Sequence, residues 1–445
     1  KSEKWAQMAI AEAKLMQSAT VVPLYADGGR YGMTRKAPYT SDYALWGTDE
    51  YRYDRALVCN EIIKAEDYSG TYADFVRSYL ADHGYTLKDE FVITYNSEIE
   101  TFDMFTSQHS TTAEVIVNTY SGLVEYDGEG NLKGALAESW EPSDDLMKYT
   151  FKLKEGIMWV DSQGREIAEV CADDFVAGMQ HMIDAGGGFD YYVDGLIENA
   201  TEYISGDITD FSQVGVKALD DYTLEVTMEY PNGLFTETVA SVKMAPVRQD
   251  IVEQYDDPRE WAITPDTLVV NGPYKMTSYQ SKNQIVLTKN ENYYDAANVA
   301  IDEVVVKFIE EATTSLASFK TGEVDICSNI PTAEVPGMIA DGTAIARPML
   351  ATYYYSLNMD PETQDPAVYE ALSKLEVRQA INYAVDKDMI NGMLFNGQSQ
   401  IIGTHMIPAM GKFYNEETND LYPRDVEKAK ELLKDDKNKT ISNNN

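Results

Sequence analysis

Basic residues are scarce in this chain. The 36 Lys and Arg face 74 Asp and Glu, which leaves a formal net charge of −38. A phosphate backbone would be repelled, so nucleic-acid binding is excluded, and the charge reads as a solvated surface. Cysteine is almost absent: Cys59, Cys171 and Cys327 are odd in number and none stands in a C-x-x-C pair. Buried free thiols are therefore expected, without a disulfide framework or a thiolate metal site. The four histidines, His83, His109, His181 and His405, lack metal-ligand spacing. Neither H-E-x-x-H nor G-x-S-x-G occurs. Asp127-Gly-Glu-Gly-Asn131 alternates oxygen ligands, but Leu132 stands where a calcium loop needs glycine, so the stretch reads as a hairpin turn. Gly128, Gly130 and Gly134 miss the dinucleotide-binding spacing. Carboxylate pairs such as Asp173-Asp174 and Glu310-Glu311 are what any surface this acidic displays, and single out no acid–base engine. No catalytic residue, metal or cofactor is expected. No run of about 18 apolar residues is present, so no transmembrane helix is predicted, and no signal-peptide pattern opens the chain.

What is there is an ordered, mixed α/β chain. It has 445 residues, 44% of them hydrophobic and 11% aromatic, enough for two or three domains with a large core. Residues 2–17 have helical spacing, with Trp5, Met8, Ala11 and Leu15 on one face. The stretch Ala19 to Tyr25 reads as a strand, and Pro23 places it at an edge or a strand start. Tyrosines then crowd without a period up to Tyr53, and Tyr72, Phe75, Val76, Tyr79 and Leu80 return to helical spacing. Thr111-x-x-Glu114 reads as a capping box opening a helix. The strands Val214 to Leu219 and Tyr222 to Met228 should form a hairpin across Asp220-Asp221. The best-defined run is Gly134 to Met182. Tyr149, Phe151 and Leu153 alternate with Thr150, Lys152 and Lys154 as in a half-buried strand. Gly156 breaks that strand, Ile157 to Val160 returns, and Asp173 is placed to cap a helix carrying Phe175, Val176, Met179, Met182 and Ile183.

That run also resembles the signature of the family 5 extracytoplasmic solute-binding proteins, the oligopeptide- and dipeptide-binding class. Trp140, then Tyr149-Thr150-Phe151-Lys152-Leu153-Lys154-Glu155-Gly156-Ile157-Met158-Trp159, and finally Asp173-Phe175 match its fixed types, with extra residues from Ser162 to Cys171. Further blocks match Asn271-Gly272-Pro273-Tyr274, Asn290 to Tyr294, Phe319-Lys320-Thr321-Gly322-Glu323-Val324-Asp325, and Val377-Arg378-Gln379-Ala380-Ile381 with Asp386-Lys387. The resemblance implies a periplasmic-binding-protein-like fold of two lobes around a hinge, plus an extra domain. Residues 1–88 look like the family's C-terminal end and should pack on the later lobe. Residues 89–335 should form lobe I with lobe II inserted at about 127–225, and 336–445 part of lobe III. A domain-sized segment, on the order of a hundred residues, is then expected to be lacking between end and beginning, either because the piece spans two tandem binding proteins or through permutation or truncation. The family's ligand-terminus anchor belongs to that segment.

The functional expectation follows from the same resemblance. A peptide would be captured between lobes and handed by a monomeric, lipid-anchored protein outside the cytoplasmic membrane to an ABC permease, with no bond made or broken. Gln108, His109 and Ser110 fall on the segment that pairs with peptide main chain. Tyr191, Ser328, Asn329, Tyr25 and Asp27 fall at pocket-lining positions. In Ala351 to Asn358, Tyr354 and Ser356 share one strand face opposite Tyr353 and Tyr355. Pattern alone leaves that strand open between an aromatic core and a cleft wall. The resemblance favours the cleft. Alternatives are an oligosaccharide, a nickel chelate or haem on the same scaffold, or a peptide or glycan hydrolase.

Overall fold

The computed structural model describes residues 2–26, 30–38, 40, 51–68, 86–127, 130–255, 260–347, 351–395, 397, 399–407, 410, 414 and 421–442. The chain forms two units: Met33–Ile330, and a smaller one made of Lys1–Gly32 with Pro331–Asn445. Asp27 and the helical spacing over Tyr72 to Leu80 lie outside the described residues.

The larger unit is mixed α/β. One sheet is antiparallel, in the order Val216–Asp220, Thr223–Thr227, Lys148–Leu153, Ala137–Pro142. A second four-stranded sheet runs Tyr274–Gln280, Gln284–Lys289, Glu303–Phe308, Glu90–Tyr95, its last pair parallel. A parallel pair needs a long crossover, and here the chain between Tyr95 and Glu303 supplies it. In Lys148–Leu153 the side chains of Tyr149, Phe151 and Leu153 are buried while those between them are not, as the alternation predicts.

The helix after the signature starts differently from the prediction. Cys171 is the N-cap of Ala172–Asp184, and Asp173 lies in the first turn. The cap belongs to Asp174, whose carboxylate accepts from the backbone N–H of Cys171 at 3.0 Å and from the buried Trp159 indole at 2.8 Å. One carboxylate thus satisfies an orphan helix donor and a buried ring N–H, and that pair of demands sets the start. The Thr111–Glu114 box also fails to form. The helix is Ser110–Ile116 with His109 at its cap, which puts Thr111 inside the first turn, and Ser107 donates to Thr112 at 2.9 Å. The Asp127 turn is a hairpin: Val124–Tyr126 pairs with Leu132–Gly134, and Asp127 accepts from the Asn131 N–H at 2.9 Å.

Residues 51–63 pack into the larger unit's core. Tyr53 meets Phe91 edge-on at 5.0 Å, and its N–H donates to Asn118 at 2.7 Å. Arg35 donates to the carbonyls of Asn60 and Val324 and lies 4.4 Å over the Phe319 ring. The Gly322-to-Asp325 block has a mechanical role. Gly322, at φ 82°, ends the helix Ala312–Thr321 in a left-handed conformation. The buried Asp325 carboxylate then accepts from Lys88 at 2.7 Å and from the Val92 N–H at 2.9 Å.

In the smaller unit Val21–Ala26 is the middle strand, between Thr352–Ser356 and Gln400–Ile401. The Pro23 reading holds only locally. Gln400–Ile401 reaches Tyr25 and Ala26 alone, so at Pro23 the strand has a single neighbour, and its register with that neighbour shifts between Pro23 and Tyr25. The preceding helix Ser2–Ser18 buries Met16 and leaves Met8 and Leu15 exposed, which corrects the predicted apolar face; the Trp5 side chain lies outside the described residues. This helix is held in its middle, where Glu12 accepts from the Met406 N–H at 2.9 Å, and at its end. Arg378, the arginine of the V-R-x-A block, donates to Ser18 O at 2.8 Å, and Tyr422 donates to Met16 O at 3.2 Å. Among the described residues no helix is long and apolar enough to cross a membrane.

Candidate functional site

The predicted ligand residues are distributed over both units. In the larger one, Gln108, His109 and Ser110 are exposed at the start of the helix Ser110–Ile116. Tyr191 is 63% exposed on the short helical turn Asp190–Tyr192. The structure brings these two segments together. Gln108 Nε2 donates to Gly187 O at 3.1 Å. Gly187 itself is pressed onto the other segment, since a Cβ there would lie 1.8 Å from Phe105 O. Only glycine permits that approach. Tyr191 leans on Tyr192, ring centroids 4.8 Å apart, and burial together with the Tyr192 hydroxyl pushes its phenol up to about 12. Tyr191 is thus neutral at any physiological pH, a donor and a flat surface.

Beneath these exposed groups lies a buried polar base that the sequence did not announce. Asp103 is fully buried; one oxygen accepts from the Phe105 N–H at 2.9 Å, and the other is 3.2 Å from His181 Nε2. The His181 ring is edge-on to Phe105 and Trp261. Lys243, 7% exposed, donates its ammonium to Met104 O and sits 3.5 Å above the Phe189 ring. Burial depresses its ammonium to about 8, and Asp103 opposes that shift. Ser241, the residue capping the turn that carries Lys243, donates to the Tyr192 hydroxyl at 3.2 Å. The only hint in the sequence is a lone lysine within the apolar run Val239 to Val247.

Ser328 and Asn329 are exposed just after the strand Ile326–Cys327, and Asn329 O lies 3.6 Å from the Cys327 thiol. Among the described residues no hydrogen bond or ring contact joins them to Gln108 or Tyr191. Burial raises the Cys59 and Cys327 thiols, so both are unreactive packing groups.

In the smaller unit the strand Thr352–Ser356 shows its tyrosines rather than burying them: Tyr353, Tyr354 and Tyr355 are 39%, 48% and 56% exposed, and Ser356 is exposed as well. The aromatic-core alternative is thereby removed. Tyr353 stacks on its cross-strand partner Tyr25, centroids 4.7 Å apart, and Phe395 leans on Tyr25 from 4.6 Å. On the opposite face Tyr354 is edge-on to His405 at 4.6 Å, and Thr352 holds the His405 carbonyl at 3.1 Å. Burial keeps His405 below the usual imidazole range. Phe395 and His405 were invisible in the sequence because each meets its tyrosine across at least 40 residues of chain. Asp27 lies outside the described residues. Among the described residues no group of three or more His, Cys, Asp or Glu could hold a metal.

Residues 131–444 match the model of bacterial extracellular solute-binding proteins, family 5. The oligopeptide-binding protein AliA of Streptococcus pneumoniae is 30% identical over 338 residues, 72% of this chain and 51% of the relative. OppA of Bacillus subtilis is 26% identical over 353 residues, 78% of this chain and 62% of the relative. A crystal structure of the periplasmic oligopeptide-binding protein OppAIV from Borrelia burgdorferi, 25% identical, superposes with a TM-score of 0.62 over 78% of this chain and 66% of that one. The chain spans about half the length of the curated relatives it matches. The fold is that of the periplasmic-binding-protein-like oligopeptide-binding proteins, and the chain belongs to the bacterial extracellular solute-binding proteins, family 5.

Proposed function

We propose that this chain is the substrate-binding component of an ABC importer and that its ligand is a peptide. The observation that carries the reading is the exposed Gln108-His109-Ser110 segment beside the exposed Tyr191, both seated on a buried, hydrogen-bonded base. An exposed main-chain segment on a rigid footing can pair with an extended peptide as an added strand, and a neighbouring neutral tyrosine can cover its side chains. The same reading assigns ligand contact to Ser328 and Asn329 and, in the smaller unit, to Tyr25, Tyr354 and Ser356. Asp27 belongs to that set by its position next to the strand Val21–Ala26. Relatives named as oligopeptide-binding proteins support the ligand class. Capture is non-covalent, so the chain works as a carrier and not as an enzyme. It acts outside the cytoplasmic membrane, with a lipid anchor as its means of staying there and a membrane permease as its partner.

The test is incubation with a mixed peptide library followed by native mass spectrometry. Stoichiometric retention of unchanged peptide is expected. Cleaved peptides would sink the carrier reading, and retention of sugar, haem or nickel chelate in place of peptide would sink the ligand class.

A further inference from the structure

Lys243 is an expensive residue to keep. An ammonium removed from water costs free energy unless it is well paired, and a Leu or Met would fill the apolar run from Val239 to Val247 without that cost. The side chain is nevertheless buried, and it joins two segments far apart in the chain. Its ammonium donates to Met104 O, four residues before Gln108, and lies 3.5 Å over the face of Phe189, two residues before Tyr191. Resting on the proposed peptide reading, we infer that Lys243 is a positioning residue: its charge clamps the Met104 carbonyl to the Phe189 ring and so sets the spacing between the Gln108–Ser110 segment and Tyr191.

The chemistry around it fits a clamp. A carbonyl oxygen and a ring face are the two partially negative surfaces an ammonium can bridge in a dry site. Asp103 supplies a third attraction. That carboxylate is otherwise engaged by the Phe105 N–H and faces His181, so it balances the lysine charge without releasing the loop. The titratable groups facing the clamp are Asp103 from the loop, His181 from the helix Ala172–Asp184, and Tyr192 through Ser241. Burial depresses the Lys243 ammonium to about 8, against the pull of Asp103. Losing its proton would leave a neutral amine over Phe189 and remove both the cation–π attraction and the attraction to Asp103.

The experiment compares wild type, Lys243→Met and Lys243→Arg by titration calorimetry with one bound peptide at pH 7 and pH 9, alongside hydrogen exchange of residues 103–110 corrected for intrinsic rates. The expected result is at least a tenfold loss of affinity and tenfold faster exchange in Lys243→Met. Wild-type affinity should fall between pH 7 and pH 9 while Lys243→Arg, charged at both, stays flat. Unchanged affinity and exchange in Lys243→Met would overturn the clamp. So would identical pH curves for wild type and Lys243→Arg, which is what titration of the peptide's own amine would produce. If the wild type retains no peptide, the peptide reading fails, and the exchange comparison alone then decides the clamp.

Discussion

The two units present their candidate ligand residues in opposite ways. In the larger unit, Gln108, His109, Ser110 and Tyr191 ride on buried charge: Asp103, His181 and Lys243 lie within a large continuous core. In the smaller unit, Tyr353, Tyr354 and Tyr355 are displayed on a strand whose neighbouring core clusters are small, such as Ala19 with Ala380, Tyr383, Tyr422 and Ala429. A buried hydrogen-bonded base fixes main-chain position, as recognition of a peptide backbone requires. Exposed tyrosines supply area and a polar tip with few rotatable bonds, which suits side chains that vary from ligand to ligand. On the proposed peptide reading, the difference assigns geometry to one surface and tolerance to the other.

The comparison can be broken first at the core. Trp159→Ala should lower the stability of the larger unit by about 3–5 kcal/mol, since it opens a cavity and leaves the buried Asp174 short of its indole donor. Urea denaturation followed by circular dichroism checks this. A loss below about 1 kcal/mol would show that the cap and ring bond are incidental.

Gly187→Ala tests the junction between the two larger-unit segments. The added methyl meets Phe105 O at 1.8 Å, so the segments must separate. Stability should fall by about 1–3 kcal/mol, the usual range for overpacking. Peptide affinity should fall with it, and wild-type affinity in a folded Gly187→Ala protein would detach Gly187 from the site.

The smaller unit has its own partly buried amine. Lys387 donates to Ile402 O at 3.0 Å, and burial depresses its ammonium to about 8. Between that value and the ordinary 10.5 the unfolded chain binds more protons than the folded one, so stability from this group rises with pH. It is fully present above 10.5 and is lost as pH falls through 8. The urea midpoint of Lys387→Met should therefore climb less than that of wild type between pH 8 and pH 10. Parallel curves would mean the amine is solvated in both states.

Tyr354→Ala should have the smallest effect on the fold. At 48% exposure, with one edge contact to His405, its removal should cost about 0.5 kcal/mol while weakening ligand binding. A lowered melting point beside unchanged peptide affinity would return this strand to a purely structural role.

Local features were legible wherever one stretch of chain carries the whole signal. The strand Lys148–Leu153 was readable because burial alternates within six residues, and the Val216–Asp220 and Thr223–Thr227 hairpin because its turn lies between its strands. The cap of Ala172–Asp184 was misread by two residues because the deciding partner, the Trp159 indole, sits outside the helix. Pro23 looked like an edge marker and is one for its own register only, a distinction that depends on how far Gln400–Ile401 extends. The same limit applied to the candidate site. Gln108, His109, Ser110 and Tyr191 could be named by resemblance, but Lys243 could not, because its two partners lie 139 and 54 positions away in the numbering.

The amino-acid sequence by itself determined the class of protein: an acidic, ordered α/β chain with the fixed residue types of a family 5 solute-binding protein, now matched over residues 131–444. Those residue types report local turns, strand alternation and packing identities that neighbouring positions dictate. Tertiary structure decided which unit each piece of the first 60 residues joins, whether the Tyr353–Tyr355 strand is core or surface, and what holds Gln108 beside Tyr191. Each of these depends on burial and on contacts between distant segments, and a buried lysine between a carbonyl and a ring acquires its meaning only when the fold brings all three together.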